Sequence, residues 1–414
     1  MSKELKIGLI GFGCVGSGLY EVLNKSKLID ATIKKIVVKD QYKKRSLSKS
    51  SFSYNVDDVL LDDEINIVVE LINDSDAALH IVKQALSKGK DVVSANKKLI
   101  AEHLDELIAL AQANDASFLY EGAVAGSIPI IRNLEEYYNN DSLTSIEGIV
   151  NGTTNYILTK SNDGIDYNTA LADAQELGFA ELDPTLDVDG FDSKYKLVLL
   201  LKHAFGITVS PEKVQNIGIR NVSKYEVAYA NEKGYRIKLF SRAEKIENKI
   251  VGFVAPHFVA SNHFAYGVNN EFNAVVVEAL FSDKQLFIGK GAGSYPTASA
   301  VLSDISAIKF DYKYEYRKST EENNATFTND FFLKIYLGSP FVEAINEIPF
   351  YRVDELFQSD DYAYQTGWVK FSDLAAHNLN HRKELSLIVL PEAFKVAESF
   401  LNKNVERRRI ALEV

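Results

Sequence analysis

The chain has a single cysteine, Cys14, among its 414 residues. One thiol cannot form an intramolecular disulfide, and it cannot supply a zinc or iron–sulfur site that needs several cysteine ligands. Dehydrogenases that convert aldehydes to acyl phosphates need a thiolate nucleophile in their substrate domain. Cys14 instead lies inside a glycine-rich loop near the start of the chain. The sequence therefore argues against that enzyme class and places the chemistry on other side chains.

Long apolar runs and an excess of positive charge are missing as well. No apolar stretch reaches the length of a membrane-spanning helix, and the first residues do not follow the pattern of a signal peptide. The formal net charge is −11, whereas proteins that bind phosphate backbones present basic surfaces. We therefore expect a cytoplasmic protein of more than one domain, with no membrane or nucleic-acid partner.

Short aliphatic segments alternate with helical patterns between Leu5 and Tyr120. The aliphatic segments are KIGLIG, IKKIVV, INIVVEL, DVVSA and SFLY, and amphipathic stretches such as AALHIVKQALSKG separate them. Strands that alternate with helices form βαβ units, and a sheet covered by helices on both faces needs aliphatic strands. The sequence therefore predicts the α/β class, with a Rossmann-type doubly wound parallel sheet over 1–130. A helical pattern at 290–315 is expected to return to this domain.

The remaining pattern predicts two further parts. Residues 131–289 combine longer polar helices with aromatic-rich strands such as RIKLFSRAEKI, which favours an α+β domain for substrate binding and dimerisation. From 325 to 414 the pattern is strand, helix, strand, strand, helix, strand, and then a last helix. That order is typical of a small ferredoxin-like module.

The segment GFGCVG carries the dinucleotide fingerprint through Gly11, Gly13 and Gly16. It follows the first predicted strand and opens a predicted helix, which is the context that makes the fingerprint specific. The first glycine permits a tight turn, the second lets the backbone approach a pyrophosphate, and the third lets the helix pack close to its strand. The sequence therefore predicts an NAD(P) site at this loop.

The end of the second predicted strand decides between the two nicotinamide cofactors. An acid there holds the ribose 2′-hydroxyl of NAD, and a base holds the 2′-phosphate of NADP. The chain has both, because Lys39 and Asp40 are adjacent. The nearby basic cluster KKR, residues 43–45, favours NADP, although a solvated loop is the plainer interpretation of that cluster.

An acidic stretch, LGFAELDPTLDVDGFDSKYK, precedes an apolar helix. A calcium loop around Gly190 does not fit, because Thr185 and Lys196 would occupy its two end positions. Asp192 and Lys196 stand four residues apart and so share one face of a helix. Two interpretations stay open: a surface ion pair, or a catalytic pair in which the lysine gives a proton to an oxygen that becomes an alcohol.

Several segments resemble the homoserine dehydrogenase family. They are GFGCVG, SANKKLIA, YEGAVAGSIPII, NGTTNYIL, the acidic stretch and GAGSYPTASAV, in family order over roughly the first three-quarters of the chain. The acidic stretch and NGTTNYIL are highly specific to the family, whereas the glycine loop is not. The chain departs from the family at Lys194 and Tyr195, usually a small residue and an arginine, and at Asn73 and Asp74, often glycines.

The resemblance implies roles for particular residues. The implied catalytic residues are Lys196, Asp192 and Lys97, and the implied substrate ligands are Glu181 and Asp187. The implied cofactor-binding residues are Gly11, Phe12, Gly13, Cys14, Val15, Gly16, Lys39, Asn73, Lys97 and Gly293. The implied sodium ligands are Glu121 and the backbone carbonyls of Val124, Gly126 and Ile128.

Plainer interpretations exist for three of these features. Lys97 also fits a surface lysine at a helix start, as its neighbour Lys98 does. The sodium segment also fits a glycine-rich entry to a helix. His377 and His381 stand at a metal-ligand spacing, but without a matching carboxylate they fit a solvated helix face better.

The resemblance also implies an activity. It is the NAD(P)H-dependent reduction of L-aspartate 4-semialdehyde to L-homoserine, a step towards threonine, methionine and isoleucine, in a homodimer or homotetramer with a divergent ACT-like module at 325–414. One alternative is a dehydrogenase of another small amino or hydroxy acid. A second is a catalytically silent NAD(P)-sensing protein, which would have no chemical reason to keep the acids and lysines named above.

Overall fold

The computed structural model describes residues 4–25, 29–320, 323–392 and 394–396. The chain forms two compact units. The first unit contains residues 1–142, 198–211 and 287–323. The second contains residues 143–197, 212–286 and 324–414. Within the described stretches, no helix is both long enough and apolar enough to cross a membrane.

Helices and strands follow one another along the whole described chain. Those before residue 206 are β1 (Leu5–Ile10), α1 (Cys14–Lys25), β2 (Ala31–Val37), α2 (Asp57–Leu60), β3 (Ile67–Glu70), α3 (Ser75–Ser87), β4 (Asp91–Ser94), α4 (Lys97–Ala113), β5 (Phe118–Leu119), α5 (Ile130–Glu135), β6 (Leu143–Ile149), α6 (Gly152–Asn162), α7 (Tyr167–Glu176), α8 (Thr185–Val188) and α9 (Phe191–Phe205). Those that follow are α10 (Lys224–Lys233), β7 (Tyr235–Ile246), β8 (Lys249–Ala260), β9 (Phe272–Ala279), β10 (Asp283–Lys290), α11 (Ser294–Ile308), β11 (Thr326–Phe327), β12 (Phe331–Ser339), α12 (Val342–Asn346), β13 (Phe350–Gln358), β14 (Ala363–Lys370), α13 (Phe371–Leu374), β15 (Ser386–Val389) and β16 (Lys395–Val396).

The first unit contains a parallel sheet in the order β2-β1-β3-β4-β5. Each strand lies at one of the predicted aliphatic segments, and β3 and β4 are buried along their whole length. Burial on both faces explains why these strands are aliphatic throughout and do not alternate with polar residues. The strand order reverses at β1, and in such sheets ligands bind beyond the carboxyl ends of the strands at that point. The predicted parallel-sheet domain is therefore confirmed.

The second unit is built on a mixed sheet. Among the described residues the sheet has 11 strands, and its main path runs β10-β9-β6-β7-β8-β15-β12-β14-β13. Neighbours from β9 to β8 are antiparallel, whereas β15 runs parallel to β8. The long hairpin of β7 and β8 pairs without a register shift from Tyr235 to Ile246. This mixed sheet matches the prediction of a second domain with both helices and strands.

The C-terminal strands extend this same sheet. Residues 324–414 belong to the second unit, whereas the sequence pattern had set 325–414 apart as a module. The reason is a shared aromatic core: the ring of Phe253 on β8 lies 5.8 Å from that of Phe331, 4.8 Å from that of Phe371 and 5.4 Å from that of Phe394. The last helix predicted from the sequence lies outside the described residues.

Candidate functional site

The glycine loop after β1 has the close contacts that its fingerprint predicts. Gly11 has φ 102°, and a Cβ there would lie 2.5 Å from the carbonyl oxygen of Leu71. A Cβ on Gly16 would lie 2.3 Å from the carbonyl oxygen of Gly11, so the helix packs directly on the loop. A Cβ on Gly13, by contrast, would meet nothing within 4 Å among the described residues. Gly13 therefore leaves the open side that a phosphate needs, at the N-terminus of α1.

The other loop residues differ in what they can present to a cofactor. Phe12 is buried and its ring centroid lies 5.2 Å from that of Phe52. The Phe12 ring therefore packs among aromatic neighbours of the same unit. Cys14 is exposed and begins α1, and Val15 is half-buried in its first turn.

A second helix begins beside this loop. Gly293 has φ 116° and precedes α11. The Ser294 hydroxyl donates a 2.8 Å hydrogen bond to the carbonyl of Cys14, and a Cβ on Gly18 would lie 2.8 Å from the Ser294 carbonyl oxygen. Gly293 is therefore held next to the glycine loop, where the resemblance placed it.

Lys39 and Asp40, which follow β2, make different contacts. The Lys39 side chain is 95% exposed, and its ammonium lies 3.8 Å from the carboxylate of Asp74. Asp40 Oδ1 accepts hydrogen bonds from the amides of Tyr42, at 2.7 Å, and Lys43, at 3.2 Å. The bond from Tyr42 is the main cause of the lowered pKa of Asp40. The acid therefore stabilises a turn, while Lys39 stays accessible.

Arg45 fixes the basic cluster in place. Its guanidinium donates to the carbonyls of Asp40, at 2.7 Å, and Lys43, at 3.1 Å. It also lies 5.4 Å from the centroid of the Phe52 ring. Arg45 therefore holds the turn together beside Phe52, while Lys43 and Lys44 are exposed to solvent.

Asn73 and Asp74, which replace the family's glycines, lie between β3 and α3. Both are exposed, and the Asp74 carboxylate accepts a 3.1 Å hydrogen bond from the amide of Ala77. An aspartate in this position caps a helix N-terminus. The departure from glycine at position 74 therefore supplies the cap of α3.

Lys97 is the first residue of α4. The Asn96 side chain caps that helix by accepting a 3.2 Å hydrogen bond from the amide of Leu99. Lys97 is half-buried, whereas Lys98 beside it is exposed. Lys97 is therefore less accessible than its neighbour, as a residue that contacts a ligand could be.

Glu121, a predicted sodium ligand, is buried with both carboxylate oxygens engaged. They accept hydrogen bonds of 2.9 Å from the amides of Ile131 and Arg132. Burial raises the pKa of Glu121 to about 7, although these bonds oppose it. The Glu121 amide in turn donates to Asp304, 2.9 Å away. The carboxylate therefore anchors the start of α5.

The other predicted sodium ligands lie on the turn between Glu121 and α5. Gly126 has φ 57°, and a Cβ there would lie 2.5 Å from the carbonyl carbon of Gly291. The carbonyl of Ile128 accepts a 2.8 Å hydrogen bond from the amide of Ile130. Val124 is buried on the same turn. One of the three predicted carbonyl ligands is therefore already used within the protein.

Asp192 and Lys196 form a buried ion pair on the first turns of α9. The Lys196 ammonium lies 2.7 Å from Asp192 Oδ2, and the two side chains are 9% and 5% exposed. The ammonium also donates a 2.6 Å hydrogen bond to the carbonyl of Val150. The interpretation as a surface ion pair is therefore wrong. A buried charge pair held by a third group is typical of a functional site.

Asn151 links this pair to the predicted substrate ligand Asp187. Its Nδ2 donates to Asp187 Oδ1 at 2.7 Å and to Asp192 Oδ2 at 3.0 Å. Its Oδ1 accepts from the amide and the hydroxyl of Thr154, at 2.9 and 3.0 Å. Because the donors of Thr154 fix the orientation of the amide, Asn151 holds both carboxylates in one arrangement.

The remaining acids of the stretch have separate roles. Glu181 is exposed, and its backbone carbonyl accepts a 3.0 Å hydrogen bond from the side chain of Gln175. The Asp183 carboxylate accepts hydrogen bonds from the amide and the hydroxyl of Thr185, the first residue of α8, and the hydroxyl bond is the main cause of the lowered pKa of Asp183. Asp189 forms an ion pair with Arg220. The structure therefore brings Asp187 and Asp192 together and leaves Glu181 at the surface.

The two C-terminal histidines lie on short 3₁₀ turns, Ala375–His377 and Leu379–His381. Over residues 4–25, 29–320, 323–392 and 394–396, no group of three or more His, Cys, Asp or Glu side chains could hold a metal ion. The histidines therefore take no part in the candidate site.

One family model matches the glycine loop and another matches the acidic cluster. The model described as "Homoserine dehydrogenase, NAD binding domain" matches residues 11–121, and the model described as "Homoserine dehydrogenase" matches residues 129–306. Homoserine dehydrogenase of Lactococcus lactis subsp. lactis is 36% identical over 381 residues, which cover 87% of this chain and 88% of the relative. The chain belongs to the homoserine dehydrogenase family. The homoserine dehydrogenase of Bacillus subtilis is 35% identical, and the aligned region covers 91% of this chain and 95% of that relative.

Solved homoserine dehydrogenases have the same fold. The enzyme from Thiobacillus denitrificans superposes with a TM-score of 0.82 at 30% identity, over 94% of this chain and 99% of that one. The enzyme from S. aureus at pH 6.0 gives a TM-score of 0.72 at 27% identity, over 95% of this chain and 100% of that one. A hyperthermophilic archaeal homoserine dehydrogenase in complex with NADPH gives 0.65 at 27% identity, over 75% of this chain and 99% of that one. As a homoserine dehydrogenase, the chain is an oxidoreductase that acts on a CH–OH group.

Sequence reasoning missed Asn151, the residue that links the acids of the cluster. Asn151 opens the family segment NGTTNYIL, which the sequence analysis used only as a mark of resemblance. The signal was available locally, because an asparagine followed by Gly-Thr-Thr is a strong candidate for a helix N-cap. The contact of Asn151 with the acids of α8 and α9 has no local signal, since it joins residues 36 and 41 positions apart.

Proposed function

We propose that the chain reduces L-aspartate 4-semialdehyde to L-homoserine with NAD(P)H, a step towards threonine, methionine and isoleucine. The observation that carries the proposal is the buried cluster of Asp187, Asn151, Asp192 and Lys196, with its bonds of 2.7, 3.0 and 2.7 Å. It combines a candidate proton donor with carboxylates that suit a substrate bearing an ammonium group. Its members come from the two segments most specific to the homoserine dehydrogenase family, NGTTNYIL and the acidic stretch.

The residues suggest how the alcohol forms. When bound, the reduced nicotinamide supplies the hydride that reaches the aldehyde carbon. Lys196 gives a proton to the aldehyde oxygen, which becomes the hydroxyl of homoserine. Asp192 and the carbonyl of Val150 hold the lysine ammonium by bonds of 2.7 and 2.6 Å. This anchoring fixes the direction of the ammonium, so the proton is positioned before the substrate arrives.

Asp187 and Glu181 are the proposed ligands of the substrate's ammonium group. Asp187 is half-buried and held by Asn151, so it offers a fixed carboxylate. Glu181 is exposed, and in this role it would close over the substrate from the surface. Lys97, half-buried at the start of α4, is proposed to contact both cofactor and substrate.

The turn after β2 supports a preference for NADP. Asp40 already accepts two amide hydrogen bonds, so its carboxylate is less available for a ribose hydroxyl. The exposed ammonium of Lys39 and the ordered Arg45 turn offer positive charge to a 2′-phosphate. Titration of the protein with NADH and with NADPH tests the preference. Equal affinities would contradict it.

A sodium ion is proposed at the turn between Glu121 and α5. Oxygen ligands suit such a hard cation. Because the Glu121 carboxylate and the Ile128 carbonyl already accept hydrogen bonds, the carbonyls of Val124 and Gly126 would contribute most, with the Glu121 carbonyl as a further ligand. The ion would order this turn and take no part in proton transfer. Melting temperatures in sodium and in choline chloride test this site.

The second unit is proposed to carry the contacts of a homodimer or homotetramer and an ACT-like module. Strands β15-β12-β14-β13 are neighbours in that order, their pairs are antiparallel, and α12 and α13 follow β12 and β14. This arrangement supports a ferredoxin-like module. Light scattering combined with threonine titration tests both assembly and effector binding.

One assay tests the proposed reaction directly. Semialdehyde is added to the protein with NADH or NADPH, and the loss of cofactor absorbance is followed. A panel of other small aldehydes and keto acids distinguishes a different dehydrogenase. If the protein binds cofactor but turns over none of these compounds, it is a nucleotide-sensing protein and the proposed reaction is wrong.

A further inference from the structure

A closed ring of hydrogen bonds joins the ends of β3 and β4. Glu70, the last residue of β3, is 0% exposed. Its Oε1 accepts a 2.7 Å hydrogen bond from the amide of Ile72, and its Oε2 accepts one of 2.6 Å from the hydroxyl of Ser94. One carboxylate therefore bridges the turns that leave two neighbouring strands.

Asn96 closes the ring from the other side. Its amide donates to the Ser94 hydroxyl at 3.1 Å, and its side-chain nitrogen donates to the carbonyl of Ile72 at 3.1 Å. Its side-chain oxygen accepts from the amide of Leu99 at 3.2 Å and so caps α4. Every polar group of the ring thus has a partner, which gives the two turns a single relative position.

The ring lies at the edge of the sheet where a dinucleotide binds. Glu70 pairs with Ile10 on β1 and with Ser94 on β4, so the carboxyl ends of these three parallel strands lie at one edge. The glycine loop leaves β1 at this edge. In doubly wound sheets the dinucleotide lies over these strand ends, where the strand order reverses.

The turns held by the ring lead to residues assigned to the cofactor. The turn after β3 leads from Ile72 directly to Asn73, and the turn after β4 leads from Asn96 directly to Lys97. We propose that Glu70 is a positioning residue for cofactor binding, because it holds the turns that carry Asn73 and Lys97. This inference rests on the proposed function only through the use of a nicotinamide cofactor.

The burial of a carboxylate here needs a reason beyond packing. Burial raises the pKa of Glu70 to about 7, which shows that the charged form is desolvated at this position. An apolar residue would avoid that penalty but could not accept from Ile72 and Ser94 together. We therefore attribute the buried carboxylate to holding the two turns in place, and not to stabilising the sheet.

The test measures cofactor affinity and catalysis separately. In Glu70→Ala the turns lose their bridge, so we expect the Kd and the KM for NADPH to rise by about tenfold while kcat changes by less than about threefold. Glu70→Gln restores the affinity to within about threefold, because its oxygen accepts from Ile72 and its nitrogen donates to the Ser94 hydroxyl. Glu106→Ala, which removes an exposed glutamate of α4, is the matched control and leaves the affinity unchanged.

A second variant keeps the test valid if Glu70→Ala does not fold. Ser94→Ala opens the same ring at its other link, and we expect the Kd for NADPH to rise by about threefold. Because both residues act through one ring, the double variant should bind no more weakly than Glu70→Ala alone. Three results would overturn the inference. They are an unchanged affinity for NADPH in both single variants, losses of affinity that add in the double variant, and a Glu70→Gln variant that binds NADPH as weakly as Glu70→Ala. A wild-type protein that binds neither cofactor would overturn the proposed function as well, whereas normal cofactor binding without semialdehyde turnover would overturn the proposed function alone.

Discussion

Replacing Asn151 by aspartate tests the organisation of the proposed active site with almost no change of shape. The asparagine nitrogen lies 2.7 Å from Asp187 Oδ1 and 3.0 Å from Asp192 Oδ2. In Asn151→Asp this donor becomes a carboxylate oxygen, so that three carboxylates would meet within about hydrogen-bond distance. Like charges this close cannot all ionise, and the cluster takes up a proton. Asp192 therefore loses a donor and gains a competitor for Lys196.

The size of the effect follows from the bond to Asp192. A hydrogen bond to a charged group contributes about 1.5–3 kcal/mol, and each ~1.4 kcal/mol of lost transition-state stabilisation is a factor of about ten in rate. The substitution should therefore lower kcat/KM by about tenfold to about a hundredfold at neutral pH. The loss shrinks as the pH falls, because the new carboxyl group can donate a hydrogen bond once it is protonated. The altered contact with Asp187 should also raise the KM for the semialdehyde.

Steady-state kinetics over a pH series measure this effect. Asn155→Ala is a matched control, because Asn155 is a buried amide of the same helix that donates to the carbonyls of Val268, at 3.2 Å, and Phe272, at 3.0 Å. The control should lower the melting temperature but keep kcat/KM within about threefold of wild type. If Asn151→Asp keeps wild-type kcat/KM at every pH, Asn151 does not organise the site and the reasoning is wrong.

Three further predictions follow from the same geometry. Lys196→Ala should lower kcat by about two to four orders of magnitude with no change in cofactor Kd, and near-normal turnover would contradict its role as proton donor. Gly13→Val should abolish cofactor binding in calorimetry without lowering the melting temperature, because a Cβ there meets nothing within 4 Å in the described part of the chain; retained affinity would contradict the loop assignment. For Glu147, burial alone would raise the pKa, but the hydrogen bond from His263 and the charge of Arg242 lower it to about 2. The wild type should therefore lose stability as the pH falls from about 4.5 towards about 2, and acid denaturation followed by circular dichroism should show a smaller loss in Glu147→Gln.

The first unit was predictable because its signals are local. Each strand is a short aliphatic run between helical patterns, and a parallel sheet with both faces covered needs that composition. The spacing of the glycines in GFGCVG also predicted where the turn after the first strand lies. Asp74 shows what the local pattern did not give: its carboxylate accepts a hydrogen bond from the amide of Ala77 and caps α3.

The site was predictable only as a set of candidate residues. Acids and a lysine at helical spacing indicate chemistry, but spacing cannot distinguish a surface ion pair from the buried pair of Asp192 and Lys196. Nor can it separate Asp187, held by Asn151, from Glu181, whose side chain is exposed. These distinctions depend on contacts between residues far apart in sequence, so the structure was needed to make them.

The C-terminal strands illustrate a limit of a different kind. The order of strands and helices in 325–414 reads as a self-contained module, because secondary structure is encoded locally. Whether a sheet is separate depends on what its core contacts, and here Phe253 of β8 packs against Phe331, Phe371 and Phe394. A buried phenylalanine contributes roughly 1.5–3 kcal/mol when it is removed from water, so several rings shared across the boundary couple the C-terminal strands to the sheet of β6 to β9.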